Sequence, residues 1–401
     1  IDTNFANAHS NLGAILIDLK KLKEAETSTR KAIELNPYSI EAYLNLGKIL
    51  RKQSKFEELN SIYLLNEKKW KYDLDFYFMF KLLLSPIPLN RSEIDIQRKY
   101  FKRAISFINQ NHKYFYIRLD VTFPIDIFYL AYQNHFDDRS ILEDHAASLS
   151  KIEGIVNKSF NRIDQLNNLS KRTKIRIGIC SDFLYQHTIG LFFTNLISDL
   201  ASSGIEIIIF RGPSSKKDEL SKKIDSFVSE SIDLPKSHNE GCKTILSKSL
   251  DILFYPDLGM SSYTYLLSLS RLALIQVTSV GHPNTSGSPM IDYYISSKDL
   301  ETSFSNNYYS EKLIRLSRLT CNHSKREIIN STFRRSSLNL PENTFLIGLP
   351  HSLFKIHPDY DDILEQILKE IPNSFLFLIN DSNYDNTERF KSRWKKKKAY
   401  Y

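Results

Sequence analysis

Apolar residues recur at helical spacing near the start of the chain, and the same pattern returns 34 positions later. Asn11-Leu12-Gly13 becomes Asn45-Leu46-Gly47, Ile15-Leu16 becomes Ile49-Leu50, and Ala8, Leu22 and Glu24 match Ala42, Phe56 and Glu58. A period in this range marks a repeated helical hairpin. Small residues at Ala8, Gly13, Ala25 and Ala32 let the helices of a unit approach closely, and Pro37 ends the second helix. Gly13 is accepted in mid-helix for that packing, where glycine otherwise costs about 1 kcal/mol. The signal fades after Leu59. Fewer than about three units are marginal alone, so the segment should extend a longer array or rest on its neighbour.

From about residue 60 to 170 the pattern is aromatic and helical, broken at Pro86, Pro88 and Pro124, and the polar run Gln165 to Lys174 reads as a linker. After Lys174 short β-rich runs alternate with amphipathic segments. Strands are expected at Ile175 to Ser181, Ile205 to Phe210, Ile252 to Tyr255, Ile275 to Val280 and Tyr293 to Ser296. Such alternation means a parallel α/β sheet with its ligand crevice at the carboxyl ends of the strands. A second unit opens with a strand at Phe345 to Leu349 and a turn from Pro350 to His357. There Pro358 suits the first helical position, Tyr360, Ile363, Ile367 and Ile371 share one face, and Phe375 to Ile379 is the next strand. The expected organisation is helical repeats over 1–65, a helical linker region over 66–170, a first Rossmann-like lobe over 171–335 and the start of a second over 336–401.

Composition narrows the function classes. With 42% hydrophobic residues the chain can build a sizeable core. Its three cysteines, Cys180, Cys242 and Cys321, make neither a disulfide framework nor a Cys-rich zinc site. No apolar run is long enough for a membrane helix, and a cytoplasmic setting is expected. The net charge is +8, but seven cations lie between Arg389 and Tyr401 with no acid among them. The rest is nearly neutral, unlike a nucleic-acid binder with a basic face. The basic segment reads as a solvated charge run.

Four segments at strand ends carry candidate chemistry. They are Ser181-Asp182-Phe183 with His187 and Gly190, Gly281-His282-Pro283-Asn284-Thr285-Ser286-Gly287-Ser288, Asp292 heading a strand, and Ser352-Leu353-Phe354-Lys355. Glycines free a backbone to approach a ligand, and hydroxyls and backbone N–H groups can hold a sugar or phosphate. A lysine between a strand and an acidic helix start would suit a phosphate.

In this order, beside 34-residue tetratricopeptide repeats, these segments resemble the SPINDLY/O-linked N-acetylglucosamine transferase family, above all its bacterial members. Ile177-Gly178, Ser181-Asp182-Phe183, His187, Gly281-His282-Pro283, Thr285-Ser286-Gly287, Asp292-Tyr293, Tyr309 to Leu313 and Phe354 to Pro358 carry the resemblance, with Phe128 to Ala131 preceding. It implies a GT-B fold of two facing Rossmann-like lobes. It also implies inverting, metal-independent transfer of N-acetylglucosamine from UDP-GlcNAc to Ser or Thr hydroxyls of proteins presented by the repeats, with no cofactor. His187 would accept the proton, Lys355 would stabilise the departing diphosphate, and Gly281, Pro283, Thr285, Ser286 and Gly287 would shape the donor loop with Lys355.

Two departures accompany the likeness. The family's second histidine, near Ile232-Asp233, has no counterpart in Ser229-Glu230-Ser231, and its later Gly/Thr-rich diphosphate motif does not occur before Tyr401. The chain as written is therefore expected to be an incomplete fragment that holds UDP-sugar poorly. A non-catalytic scaffold, or a fucosyltransferase using GDP-fucose, is the alternative expectation.

Overall fold

Close helix crossings allowed by small residues begin the fold. The structure, a computed structural model, describes residues 5–117, 126–135, 138–320, 334–338, 340–381 and 384–394. Helices α1 (Ala6–Asp18), α2 (Leu22–Leu35), α3 (Ile40–Lys52) and α4 (Phe56–Trp70) form two successive hairpins. A Cβ on Gly13 would lie 2.2 Å from Thr29 Oγ1, so the α1–α2 crossing requires glycine. The second hairpin runs its full length past Leu59. Its inward residues Leu59, Ile62 and Tyr63 pack on α5 (Leu74–Phe80), which takes the place of a further repeat and is buried along its whole length.

Helices α6 (Arg91–Asn111), α7 (Asp138–Ser150) and α8 (Arg162–Ser170) follow, with a 3-10 turn at Asp126–Tyr132. The linker expected from Gln165 to Lys174 is helical over most of its length. Asn161 caps α8 by accepting from the Ile163 and Asp164 amides, and the helix buries none of its residues, so it leaves no apolar stripe in the sequence.

The next unit is a seven-stranded parallel sheet. Its elements are β1 (Arg176–Ser181), α9 (Thr188–Ser202), β2 (Glu206–Arg211), α10 (Glu219–Asp225), β3 (Glu230–Asp233), α11 (His238–Leu246), β4 (Ile252–Tyr255), α12 (Ser262–Ser268), β5 (Ile275–Ser279), β6 (Tyr293–Ser297) and β7 (Lys312–Leu316). The strand order is β3-β2-β1-β4-β5-β6-β7. The chain thus builds outward from β1 on one side, then returns to place β4 on the other. At such a reversal, doubly wound sheets bind ligands outside the carboxyl ends of the flanking strands, here β1 and β4. The strands absent from the expected set, β3 and β7, are the two edges, where burial is partial and the apolar signal correspondingly weak.

Two cores flank the sheet. One runs continuously from α3 and α5 through α7 to Cys180, Phe210, Leu253 and Tyr255, so the helical region and the sheet share a single packed interior. The other lies under α9 and contains Ile179, Ile189, Phe193 and Ile209.

The second α/β unit comprises β8 (Phe345–Leu349), α13 (Tyr360–Glu370), β9 (Ser374–Leu378) and α14 (Tyr384–Trp394), with β8 and β9 parallel. Two details differ from expectation. Pro358 lies before the helix, in the turn where Asp361 N bonds Pro358 O at 3.1 Å. The face bearing Tyr360, Ile363 and Ile371 is exposed, whereas Asp361 and Leu364 are buried. The inward face carries Leu364 and Leu368 into the core with Leu353, Phe390 and Trp394, and there Arg393 on α14 pairs with Asp361, Nε to Oδ2 at 2.7 Å, with both side chains 3% exposed. Arg389 likewise donates to Ile87 O at 2.7 Å and pairs with Glu93. The basic segment is therefore partly structural, not wholly solvated; Lys395 to Lys398 lie outside the described residues. Among the described residues no helix is long and apolar enough to cross a membrane.

Candidate functional site

At the reversal point the sheet offers three strand ends: Ser181-Asp182 after β1, Asp257 to Ser261 after β4, and Gly281-His282 after β5. Ser181 Oγ donates to Asp257 Oδ2 at 2.6 Å and accepts from Phe183 N at 2.8 Å. Asp182 accepts from Ser214 N at 3.2 Å and from the Ser261 hydroxyl, pinning the loops after β2 and β4 to the end of β1. Both carboxyls are essentially without solvent contact. Burial raises Asp182, against the pull of Ser261 and Ser214. Burial also pushes Asp257 up to about 7, opposed by the Ser181 hydroxyl and reinforced by the Asp182 charge.

His187 closes the turn after β1 and is half-buried. The turn is fixed from several sides. Arg211 Nη1 donates to Leu184 O at 2.9 Å, and Gln186 N donates to Asp218 Oδ2 at 2.6 Å. A Cβ on Gly190 would lie 2.1 Å from Tyr185 O. His187 caps α9, its Nδ1 accepting from Ile189 N at 3.2 Å, while its ring lies 4.9 Å from that of Phe183. With Nδ1 accepting, the neutral ring carries its proton on Nε2 and presents a donor. Burial lowers its pKa from the usual histidine value, which favours that neutral form.

Gly281 abuts this corner. A Cβ there would meet Pro256 O at 2.2 Å and Ile189 Cδ1 at 2.9 Å. His282 is buried, with Nε2 at 3.2 Å from Phe128 O, and burial pulls it down to about 4, so it is neutral near pH 7. Lys355 is exposed on a 3-10 turn, Leu353–Lys355. Its neighbour Phe354 packs edge-on against Phe128 and Tyr132 at 5.4 and 4.9 Å, and Phe128 lies 5.2 Å from His282. Gly281 thus lies against Ile189 beside the His187 turn, and the Lys355 turn reaches His282 through Phe354 and Phe128.

The rest of the loop faces elsewhere. Pro283 is exposed. Thr285 Oγ1 donates to Glu311 Oε2 at 2.6 Å, and Ser286 N donates to Glu311 Oε1 at 2.8 Å, with both residues buried. Gly287, at φ +70°, lies against the backbone of Leu142 on α7. Asp292 is engaged by Arg271 at 2.6 and 3.1 Å, at the opposite, amino end of β6. Asp257 had no place among the candidates. Its signal is an acid set between Pro256 and Gly259 directly after an apolar strand.

The Asp257 shift has a measurable sign. The folded value lies above the usual carboxyl value of 3.8, so its contribution is fully present below that pH and is lost as pH rises through about 7. Asp257→Asn cannot ionise. In urea titrations its stability relative to the natural chain is expected to rise by roughly 3–4 kcal/mol between pH 4 and 7 and then level off. A gap that does not change with pH would show that the carboxyl ionises normally in the fold.

A parallel sheet whose strand order turns back at β1, preceded by a helical repeat, is a doubly wound, GT-B-like fold. The tetratricopeptide repeat model matches residues 6–39. A probable UDP-N-acetylglucosamine–peptide N-acetylglucosaminyltransferase SEC of Arabidopsis thaliana is 24% identical over 217 residues, covering 51% of this chain and 22% of that protein. A mutant O-GlcNAc transferase of Thermobaculum terrenum superposes with a TM-score of 0.61 at 18% identity, covering 98% of this chain and 66% of that one. The chain therefore spans about a fifth of the plant relative's length and less than two thirds of the bacterial structure's. In its repeat and its fold it is SPINDLY/O-GlcNAc-transferase-like.

Proposed function

We propose that the chain is part of an inverting protein O-glycosyltransferase. In this reading N-acetylglucosamine passes from UDP-GlcNAc to a Ser or Thr hydroxyl, and the repeats meet the acceptor protein. The observation that carries the reading is the reversal-point crevice, with His187 fixed at its edge and Gly281 pressed against the same corner. Transfer needs a proton acceptor at the attacking hydroxyl and charge stabilisation at the departing diphosphate. His187 serves the first at Nε2, in the tautomer that carries the ring proton on Nδ1 and has released the Ile189 amide. In the tautomer that caps α9, Nε2–H orients an oxygen of the substrate. Lys355, exposed and reached from the crevice through Phe354, serves the second. No metal or cofactor is required by this scheme.

Substituting His187 by asparagine separates chemistry from capping, because asparagine caps a helix as well as any residue. Product analysis by mass spectrometry on the complete protein, with UDP-GlcNAc and with GDP-fucose, reads the donor and the effect together. The expected outcome is N-acetylglucosamine on serine or threonine, falling about 10²–10⁴-fold in His187→Asn with unchanged folding. Wild-type turnover in that variant would reduce His187 to a helix cap. Absence of product from either donor would leave a binding scaffold as the correct reading.

A further inference from the structure

A line of hydrogen bonds runs from the interior of the sheet to the His187 turn. Asp257, fully buried at the end of β4, holds the Ser181 hydroxyl proton at 2.6 Å. That orientation turns a lone pair of Ser181 Oγ toward Phe183 N, 2.8 Å away. Phe183 O then accepts from Tyr185 N at 2.9 Å, Tyr185 O accepts from His187 N at 2.5 Å, and the Phe183 ring flanks the His187 ring. Without Asp257 the Ser181 side chain loses the acceptor that fixes its rotamer, and Oγ is free to swing away from the Phe183 amide. The cross-strand bond thus holds the accepting oxygen of Ser181 in place at the start of this turn.

We propose that Asp257 is a positioning residue for His187, acting through Ser181 and the backbone of the turn without touching substrate. Asp182 sits beside it with a separate task, tying the loops after β2 and β4 to the same strand end. The inference rests on the transferase reading only for its catalytic consequence. The geometric claim stands independently, and its test is arranged accordingly.

The probe is NMR of the ¹³C- and ¹⁵N-histidine-labelled chain, following the His187 ring shifts and the Phe183–His187 ring cross-peaks, with folding checked by circular dichroism. Asp257→Ala is expected to move the His187 resonances and weaken the cross-peaks, whereas Asp257→Asn, whose amide oxygen still accepts from Ser181, restores both. Ser181→Ala breaks the line one link later, should reproduce the alanine result, and carries the test if Asp257→Ala does not fold. In the transfer assay on the complete protein, kcat should fall about tenfold or more in Asp257→Ala with little change in KM, and recover in Asp257→Asn. Folded Asp257→Ala or Ser181→Ala protein with unaltered His187 signals would overturn the proposal. Altered signals without any transferase activity in the natural protein would uphold the positioning and remove the transferase reading instead.

Discussion

Replacing Arg393 by alanine is expected to loosen the second α/β unit at a cost of about 3–5 kcal/mol, the usual penalty for stripping one partner from a buried ion pair. Arg393 meets Asp361 through Nε at 2.7 Å and Nη2 at 2.8 Å, and also donates to Pro88 O and Ile356 O at 3.2 and 3.0 Å. Three hydrogen-bond acceptors from three separate segments converge on one guanidinium. Alanine leaves the Asp361 carboxylate, 3% exposed, deprived of that charge. Hydrogen exchange should quicken throughout α13, β8 and β9, while the seven-stranded sheet keeps its protection. Arg393→Met combined with Asp361→Leu, which removes both charges, should restore most of the loss. Unchanged protection in Arg393→Ala would refute this account of the docking.

That ion pair also shows what a one-dimensional pattern conceals. The spacing of Tyr360, Ile363, Ile367 and Ile371 marks a helical face correctly but not the direction in which it points. Direction depends on partners more than thirty residues away on α14: Phe390 and Trp394 pack with Leu364, and Arg393 bonds the inward-facing Asp361. The central strands β1, β2, β4 and β5 were legible because residues covered on both faces read as apolar runs. The edges β3 and β7 were not. The same limit applied at the crevice. His187, Gly281 and Lys355 lie in recognisable strand-end turns, and the contacts that link those turns run through Ile189, Phe354 and Phe128. Thr285 and Ser286 share their loop with Gly281, yet their hydroxyl and amide face Glu311. Asp257 went unmarked because its partner, Ser181, is 76 positions away and becomes a neighbour only through the β1–β4 pairing.

Gly287→Ala is expected to be among the more damaging single changes, at about 3 kcal/mol or more. A left-handed φ of +70° alone costs a residue with a Cβ about 1–2 kcal/mol. The added carbon would also lie 2.2 Å from the Leu142 carbonyl carbon and 2.7 Å from Glu143 N, backbone atoms of α7 that yield only if the helix moves. Gly204 offers the comparison. Its φ is +82°, but no atom lies within 4 Å of the built Cβ, so Gly204→Ala should pay the conformational cost alone. Thermal melts of the two variants separate packing from backbone strain. Equal losses would show that α7 gives way freely and does not hold the loop.

The anchoring of α14 has a consequence for how the protein is made. Arg389 and Arg393 bond carbonyls at Ile87 and Pro88, 302 and 305 residues earlier in the chain, and Ile87 belongs to the core formed by Leu353, Phe390 and Trp394. A nascent chain leaves the ribosome from its amino end, at about 5–20 residues per second. The helical region can therefore close around α5 and α6 long before Trp394 exists, and for that interval Ile87 stands bare beside a Glu93 that lacks its Arg389 partner. The segment that covers it is made about 300 residues later, so during synthesis a chaperone has that whole interval to find the patch.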